Sequence, residues 1–104
     1  MNLIRTTSFT KAIASLKVTD IELAALETEI AINPHAGDVI KGLKGVRKIR
    51  FAMGGKGKRG GGRCIYLALT IEDTIYLLLA YGKSKQTDLS HKQRKDILAF
   101  IEEL

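Results

Sequence analysis

Cationic side chains are the residues of this sequence whose types and spacing could do chemistry. The segment 54–62 contains six glycines among nine residues, and its other three residues are all basic. Glycine permits positive φ and the close approach of another molecule. A deformable cationic loop favours a polyanionic partner. The loop and its flanking segments contribute eight bases: Lys48, Arg50, Lys56, Lys58, Arg59, Arg63, Lys83 and Lys85.

The positive charge of the chain is unevenly distributed. The 104 residues carry a formal net charge of +6, and no Asp or Glu lies between residues 39 and 71. That window holds nine of the seventeen Lys and Arg residues. A surface that was merely soluble would mix both signs, so this pattern predicts a basic face. Its partner would be acidic: nucleic acid, an anionic membrane or an acidic protein.

Metal-free RNA cleavage is a reaction that such a set of cations could catalyse. The 2′-hydroxyl attacks the adjacent phosphorus and the 5′-oxygen leaves, which requires a base, an acid and positive charge at the phosphoryl oxygens. Arginine stays protonated, so the arginines of this set suit a phosphate clamp. A lysine crowded by other cations can have its pKa lowered, so a lysine of the set could act as an acid or a base.

Other chemistries are poorly supported by the sequence. The G-x-G-x-x-G pattern at residues 55–60 precedes a strand rather than a helix, which excludes a dinucleotide site. His35 and His91 have no partners at ligand spacing, so neither a metal nor another cofactor is expected. Cys64 lies within a strand pattern and is interpreted as a small buried residue. Without a signal peptide or an apolar run long enough to cross a bilayer, the chain is expected in the cytoplasm.

Hydrophobic periodicity predicts the elements that position these cations. Capping boxes at Thr19 and Ser90 begin two helices, and Pro34 ends the first of them. Period-2 alternation places Lys48 and Arg50 on one face of their strand. At this length one domain, residues 1–104, is expected. The predicted elements are a strand at 2–6, a helical hairpin at 8–16 and 19–33, an antiparallel meander at 46–51, 63–70 and 74–81, and a helix from Ser90 that lies on the sheet.

Several motifs together are similar to a known family. They are Gly-Asp-Val-Ile-Lys-Gly at 37–42, Val-Arg-Lys-Ile-Arg at 46–50, Gly-Lys-Gly-Lys-Arg-Gly-Gly-Gly-Arg at 55–63, Ile-Tyr at 65–66, Tyr-Gly-Lys at 81–83 and Asp-Leu with Gln-Arg-Lys within 88–95. In this order they resemble the HigB-like branch of the RelE superfamily, the toxins of type II toxin–antitoxin modules. The match is closest between Gly37 and Lys95.

The resemblance implies an α/β (α+β) fold in which an antiparallel sheet is packed by an N-terminal helical hairpin and a C-terminal helix. It also implies ribosome-dependent, metal-independent cleavage of mRNA and a cognate antitoxin. Catalytic positions of the family fall on Lys48, Arg50, Arg63 and Lys83. Some members have a Tyr or His near the start of the last helix, where this chain has Leu89 and Ser90. His91, Tyr81 and Lys83 therefore remain competing candidates for the acid or base. Ribosomal RNA would be bound by Lys56, Lys58, Arg59 and Lys85.

Two other functions are compatible with the same residues. The first is a non-catalytic nucleic-acid-binding module that uses the same basic face, although few aromatic residues are present to stack on single strands. The second is a structural subunit of a repressor complex without nuclease activity. Cleavage of RNA separates the family function from both alternatives.

Overall fold

The computed structural model describes residues 1–55 and 57–104, which form a five-stranded sheet with helices on both faces. The prediction made for Lys56 lies outside the described residues. In chain order the elements are β1 (Asn2–Arg5), α1 (Thr7–Ser15), α2 (Asp20–Ile32), β2 (Asp38–Val39), β3 (Arg47–Phe51), β4 (Gly62–Leu69), a 3-10 turn (Thr70–Glu72), β5 (Thr74–Gly82) and α3 (His91–Glu102).

The strand order of the sheet is β1-β5-β4-β3-β2. The central strands β3, β4 and β5 form the antiparallel meander that the sequence predicts, and β2 adds an antiparallel edge. The expected antiparallel sheet is modified at one place, because β1 pairs with β5 in parallel. The chain can make this pairing because α1 and α2 carry it away from the sheet edge before it returns.

Helices α1 and α2 cover one face of the sheet. Phe9 and Ile13 of α1 are buried with Leu23, Leu26 and Ile30 of α2. The Thr19 capping box predicted from the sequence is present, and each of its two side chains bonds a backbone N–H that the first turn would leave unpaired. The sheet side of this core, called the hairpin core below, consists of Ile49 and Phe51 of β3, Cys64 and Tyr66 of β4, and Ile75, Leu77 and Ala80 of β5.

Helix α3 covers the opposite face. The Ser90–Gln93 capping box is formed, and it starts the helix at His91 as predicted. Ile97 is buried against a second apolar cluster. The sheet members of that cluster are Ile65 and Leu67 of β4 with Leu78 and Tyr81 of β5. The two cores fix which face of each strand is turned toward α3.

Cys64 lies in the core of the protein, as predicted from its place in a strand pattern. Cys64 is fully buried, and burial raises the pKa of its thiol far above the ordinary value, which agrees with a small core residue rather than a reactive one. None of the helices in the described part of the chain has both the length and the hydropathy that crossing a bilayer requires.

Candidate functional site

Three side chains form a row across the face of the sheet that α3 covers. Arg50 of β3 is paired with Arg63 of β4, which is paired in turn with Tyr81 of β5. Residues paired in this way point to the same side of a sheet. Ile49 and Phe51 are buried on the face of the sheet that α1 and α2 cover. Because side chains alternate along a strand, Arg50 must lie on the opposite face, which α3 covers.

Lys48 and Lys83 extend this row along and across the strands. Lys48 is two residues before Arg50 and therefore shares its face. Lys83 follows the last residue of β5, and its amide donates a hydrogen bond of 3.0 Å to the carbonyl oxygen of Gly61. Strand-like pairing thus continues to the end of the glycine-rich loop. The name cation face is used below for Lys48, Arg50, Arg63 and Lys83.

Arg63 is the least exposed member of the cation face, with 8% of its surface accessible. Its Nη1 donates to the carbonyl oxygens of Gly62 at 3.0 Å and Lys58 at 3.4 Å. Its Nη2 donates to the carbonyl oxygen of Arg59 at 3.4 Å. The guanidinium therefore holds the returning arm of the glycine-rich loop. The two longer bonds are the ones that an arriving phosphate could replace most easily.

Asp88 places a carboxylate beside these cations. Its Oδ1 lies 3.9 Å from Nζ of Lys48, and its Oδ2 lies 3.7 Å from Nη2 of Arg94 in α3. Oδ1 also accepts the amide of Leu89 at 2.8 Å, which orients the side chain. Sequence reasoning did not include Asp88 or Arg94 in the site. One feature of the sequence could have pointed to Asp88, because it is the single acid between residues 74 and 95.

The hydroxyl of Tyr81 is buried and has no hydrogen-bond partner among the described residues. Burial is the main cause that raises the pKa of this phenol; the nearby Asp88 carboxylate raises it further, and Arg63 opposes the change. Tyr81 therefore carries its proton at neutral pH. Among the described residues it is an unpaired donor near the Asp88 carboxylate and the Arg63 guanidinium.

The remaining predicted positions lie around this face. His91 is exposed at the first residue of α3, and Lys85 and Arg59 are exposed in loops. The Nζ atom of Lys58, which is predicted to bind ribosomal RNA, lies 2.9 Å from Oε2 of Glu29 on α2. Helix α2 packs on the other face of the sheet, so this ion pair directs Lys58 away from the cation face. Within residues 1–55 and 57–104, no group of three or more His, Cys, Asp or Glu side chains could hold a metal ion.

Comparison with known proteins identifies the family. The model of the RelE toxin of the RelE/RelB toxin–antitoxin system matches residues 1–103. A mutant of the E. coli toxin RelE in the free state superposes with a TM-score of 0.59 at 13% identity, covering 96% of each chain. The conserved hypothetical protein HP0892 from Helicobacter pylori gives a TM-score of 0.57 at 16% identity, covering 82% of this chain and 97% of its own. The two structures share the fold, and the family model shows that the chain belongs to the RelE toxins of toxin–antitoxin systems.

Proposed function

We propose that this toxin is a ribosome-dependent, metal-independent endoribonuclease that cleaves translated mRNA and so inhibits translation. The observation that carries the proposal is the convergence of Arg50, Arg63 and Tyr81 in one cross-strand row, with Lys48 and Lys83 next to it. Four cations on one face can neutralise the charge that develops on a phosphoryl group in the transition state. Membership of the RelE family supports the same activity.

The two arginines of the row and the charged residues beside it have roles in this mechanism. The 2′-hydroxyl attacks phosphorus, the bond to the 5′-oxygen breaks, and a cyclic phosphate forms. Arg50 and Arg63 bind the non-bridging oxygens as planar, permanently charged donors. Lys48 and Lys83 stabilise the leaving oxygen or deliver its proton. Asp88, next to Lys48, adds a carboxylate that can accept the proton of the 2′-hydroxyl.

His91 remains an alternative acid or base in this proposal, since it is exposed at the start of α3 and free to contact RNA. Arg59 and Lys85 are exposed, and in this proposal they bind ribosomal RNA. The side chain of Lys58 would have to break its ion pair with Glu29 before it could bind RNA. The proposal includes the HigB-like branch, a cytoplasmic location with the ribosomes and mRNA, a cognate antitoxin, and a single domain over residues 1–104.

Primer extension on cellular mRNA after induction of the toxin tests the proposal. Cleavage inside translated frames is expected for the wild type, and it should disappear when translation is blocked before induction. The double variant Arg63→Ala, Lys83→Ala is expected to lose at least a hundredfold in cleavage, because a clamp and a charge-stabilising group are both removed. Lys11→Ala, an exposed change on α1, removes one charge on the other side of the molecule and should cleave like the wild type.

Full cleavage by the double variant would refute the site. Cleavage that continues without translation would refute the dependence on the ribosome. A non-catalytic RNA-binding module is the second candidate, because the guanidinium of Arg63 is already engaged by loop carbonyls. RNA binding without any cleavage product, in a wild-type chain that melts cooperatively, would favour that candidate.

A further inference from the structure

Helix α2 has a second apolar stripe that faces away from the sheet. Leu23, Leu26 and Ile30 are buried under the helix, whereas Ile21 and Ile32 are 84% and 79% exposed. A helix that lies on a core needs only one apolar stripe. A second one, rimmed by charged residues, is typical of a surface that binds another protein. The outward stripe, called the α2 stripe below, consists of Ile21, Ala24, Ala25, Thr28 and Ile32.

The α2 stripe forms one wall of a groove of about 830 Å³. The other wall contains Phe51 and Ala52 at the end of β3, together with Lys58 of the glycine-rich loop. The two isoleucines are eleven residues apart, which is about 16 Å along a helix axis. Small side chains at Ala24, Ala25 and Thr28 lie between them and let another backbone approach closely. This shape accommodates three turns of a second helix.

Charge around the groove decides which kind of partner it fits. Helix α2 contains Asp20, Glu22, Glu27 and Glu29 and no Lys or Arg. Glu22 and Glu29 line the groove; Glu29 is paired there with Lys58, and Glu27 is paired with Arg5 outside it. Two acids against one lysine leave the rim negative, which disfavours RNA and anionic membranes. A second copy of the chain would bring the acids of one α2 against the acids of the other, because a twofold interface pairs the same patch with itself.

We propose that the α2 groove binds an amphipathic helix whose apolar stripe is flanked by Lys or Arg, and that this helix belongs to the antitoxin. The chemistry of the groove supports the kind of helix, and the assignment to the antitoxin rests on the proposed toxin function. The groove and the cation face lie on opposite sides of the sheet. A helix bound there anchors the antitoxin without occupying the RNA site.

Binding of purified toxin to its cognate antitoxin, measured by calorimetry at several salt concentrations, tests this inference. Ala25→Lys places a long cation in the floor of the groove at an exposed helical position that tolerates lysine. It is expected to weaken antitoxin binding at least tenfold. Glu29→Gln removes one acid of the rim and leaves Lys58 in the groove without its carboxylate partner, so binding of a basic helix should weaken severalfold and become less sensitive to salt.

Ala14→Lys is the matched control, because it makes the same substitution at an exposed position of α1. Binding by Ala25→Lys within twofold of the wild type would overturn the inference, and so would equal losses for Ala25→Lys and Ala14→Lys. If the wild-type toxin sediments as a dimer and Ala25→Lys sediments as a monomer, the groove binds a second copy of the chain. That outcome would also overturn the inference.

Failure of this inference is distinguishable from failure of the nuclease. Antitoxin binding is measured without any cleavage, and primer extension is measured without antitoxin. If Ala25→Lys loses the antitoxin while the wild type cleaves no mRNA, the groove assignment stands and the nuclease proposal fails. If Ala25→Lys cleaves mRNA and still binds the antitoxin with wild-type affinity, the groove assignment fails and the nuclease proposal stands.

Discussion

Tyr81 and Tyr66 are buried tyrosines in the same sheet with opposite hydrogen-bonding states. Tyr66 donates a bond of 2.8 Å to the carbonyl oxygen of Pro34 and accepts one of 2.9 Å from the amide of Gly37. It therefore ties the connector after α2 to β4. The hydroxyl of Tyr81 has no such partner among the described residues, although it lies in the row with two arginines. This difference points to a structural role for the hydroxyl of Tyr66 and gives the hydroxyl of Tyr81 no such role.

Removing each hydroxyl separates these roles. Tyr81→Phe is expected to leave the free energy of unfolding unchanged or to raise it by up to about 1 kcal/mol, because a buried polar group without a partner is lost. Tyr66→Phe is expected to lower it by about 1–3 kcal/mol, since the amide of Gly37 loses its acceptor and the carbonyl of Pro34 its donor. Urea denaturation measures both. A larger loss for Tyr81→Phe than for Tyr66→Phe would contradict the assignment.

Among the elements, the glycine-rich loop contains glycines in two different surroundings: one packs closely against the core at the end of the loop, and the other lies in open space within it. A Cβ atom placed on Gly62 would lie 2.5 Å from Cε1 of Phe51, which is part of the hairpin core. The same atom on Gly57 would meet nothing within 4 Å. The glycine at position 62 therefore lets β4 approach the ring of Phe51, whereas no such contact restricts position 57.

Alanine substitutions at these two glycines should have opposite effects. Gly62→Ala is expected to destabilise the fold by about 1–3 kcal/mol, because the added methyl group overpacks a core that cannot move aside freely. Gly57→Ala is expected to be neutral or to stabilise it by up to about 1 kcal/mol, through the lower entropy of the unfolded chain. Thermal melting of the two variants provides the comparison. Equal melting temperatures would show that Phe51 gives way without cost.

Local sequence signals predicted the long elements well. Both capping boxes and the central meander are where the pattern of residues indicates them. Strand β2 is not among the predicted elements, because two residues cannot show a period. The partner of β1 was also not predictable, since Asn2 is paired with Thr74 and such a distant pairing leaves no local pattern.

Only the part of the candidate site that depends on a local pattern could be predicted from the sequence. Alternation along β3 was enough to put Lys48 and Arg50 on one face. The neighbours of Asp88 depend on how α3 packs, which no local pattern encodes. The ion pair of Lys58 with Glu29 depends on how the loop folds back toward α2, and a count of charges could not reveal it.

At the scale of the whole molecule, the two sides of the sheet carry different charge. The α3 side presents the cation face, and the outer surface of α2 is acidic. A net charge of +6 therefore understates how strongly one side attracts a polyanion. RNA and the antitoxin helix that we propose would each be attracted to one side and repelled by the other.

Salt dependence of RNA binding measures this asymmetry. The logarithm of the affinity for a short single-stranded RNA is expected to fall linearly with the logarithm of salt concentration, by about 0.7 per phosphate neutralised. Arg50→Gln should make the slope shallower by about 0.7, whereas Lys11→Gln on α1 should not change it. Fluorescence anisotropy gives both slopes. An equal change in the two variants would mean that total charge, and not the cation face, determines binding.

The parallel pairing of β1 with β5 has a consequence for the synthesis of the toxin. Translation releases the N-terminal strand first, and its partner Thr74–Gly82 emerges only near the end of synthesis, followed by α3. A nascent chain therefore cannot complete the sheet, or the row of Arg50, Arg63 and Tyr81, until β5 has emerged. The nuclease that we propose would form only after nearly the whole chain has left the ribosome that makes it.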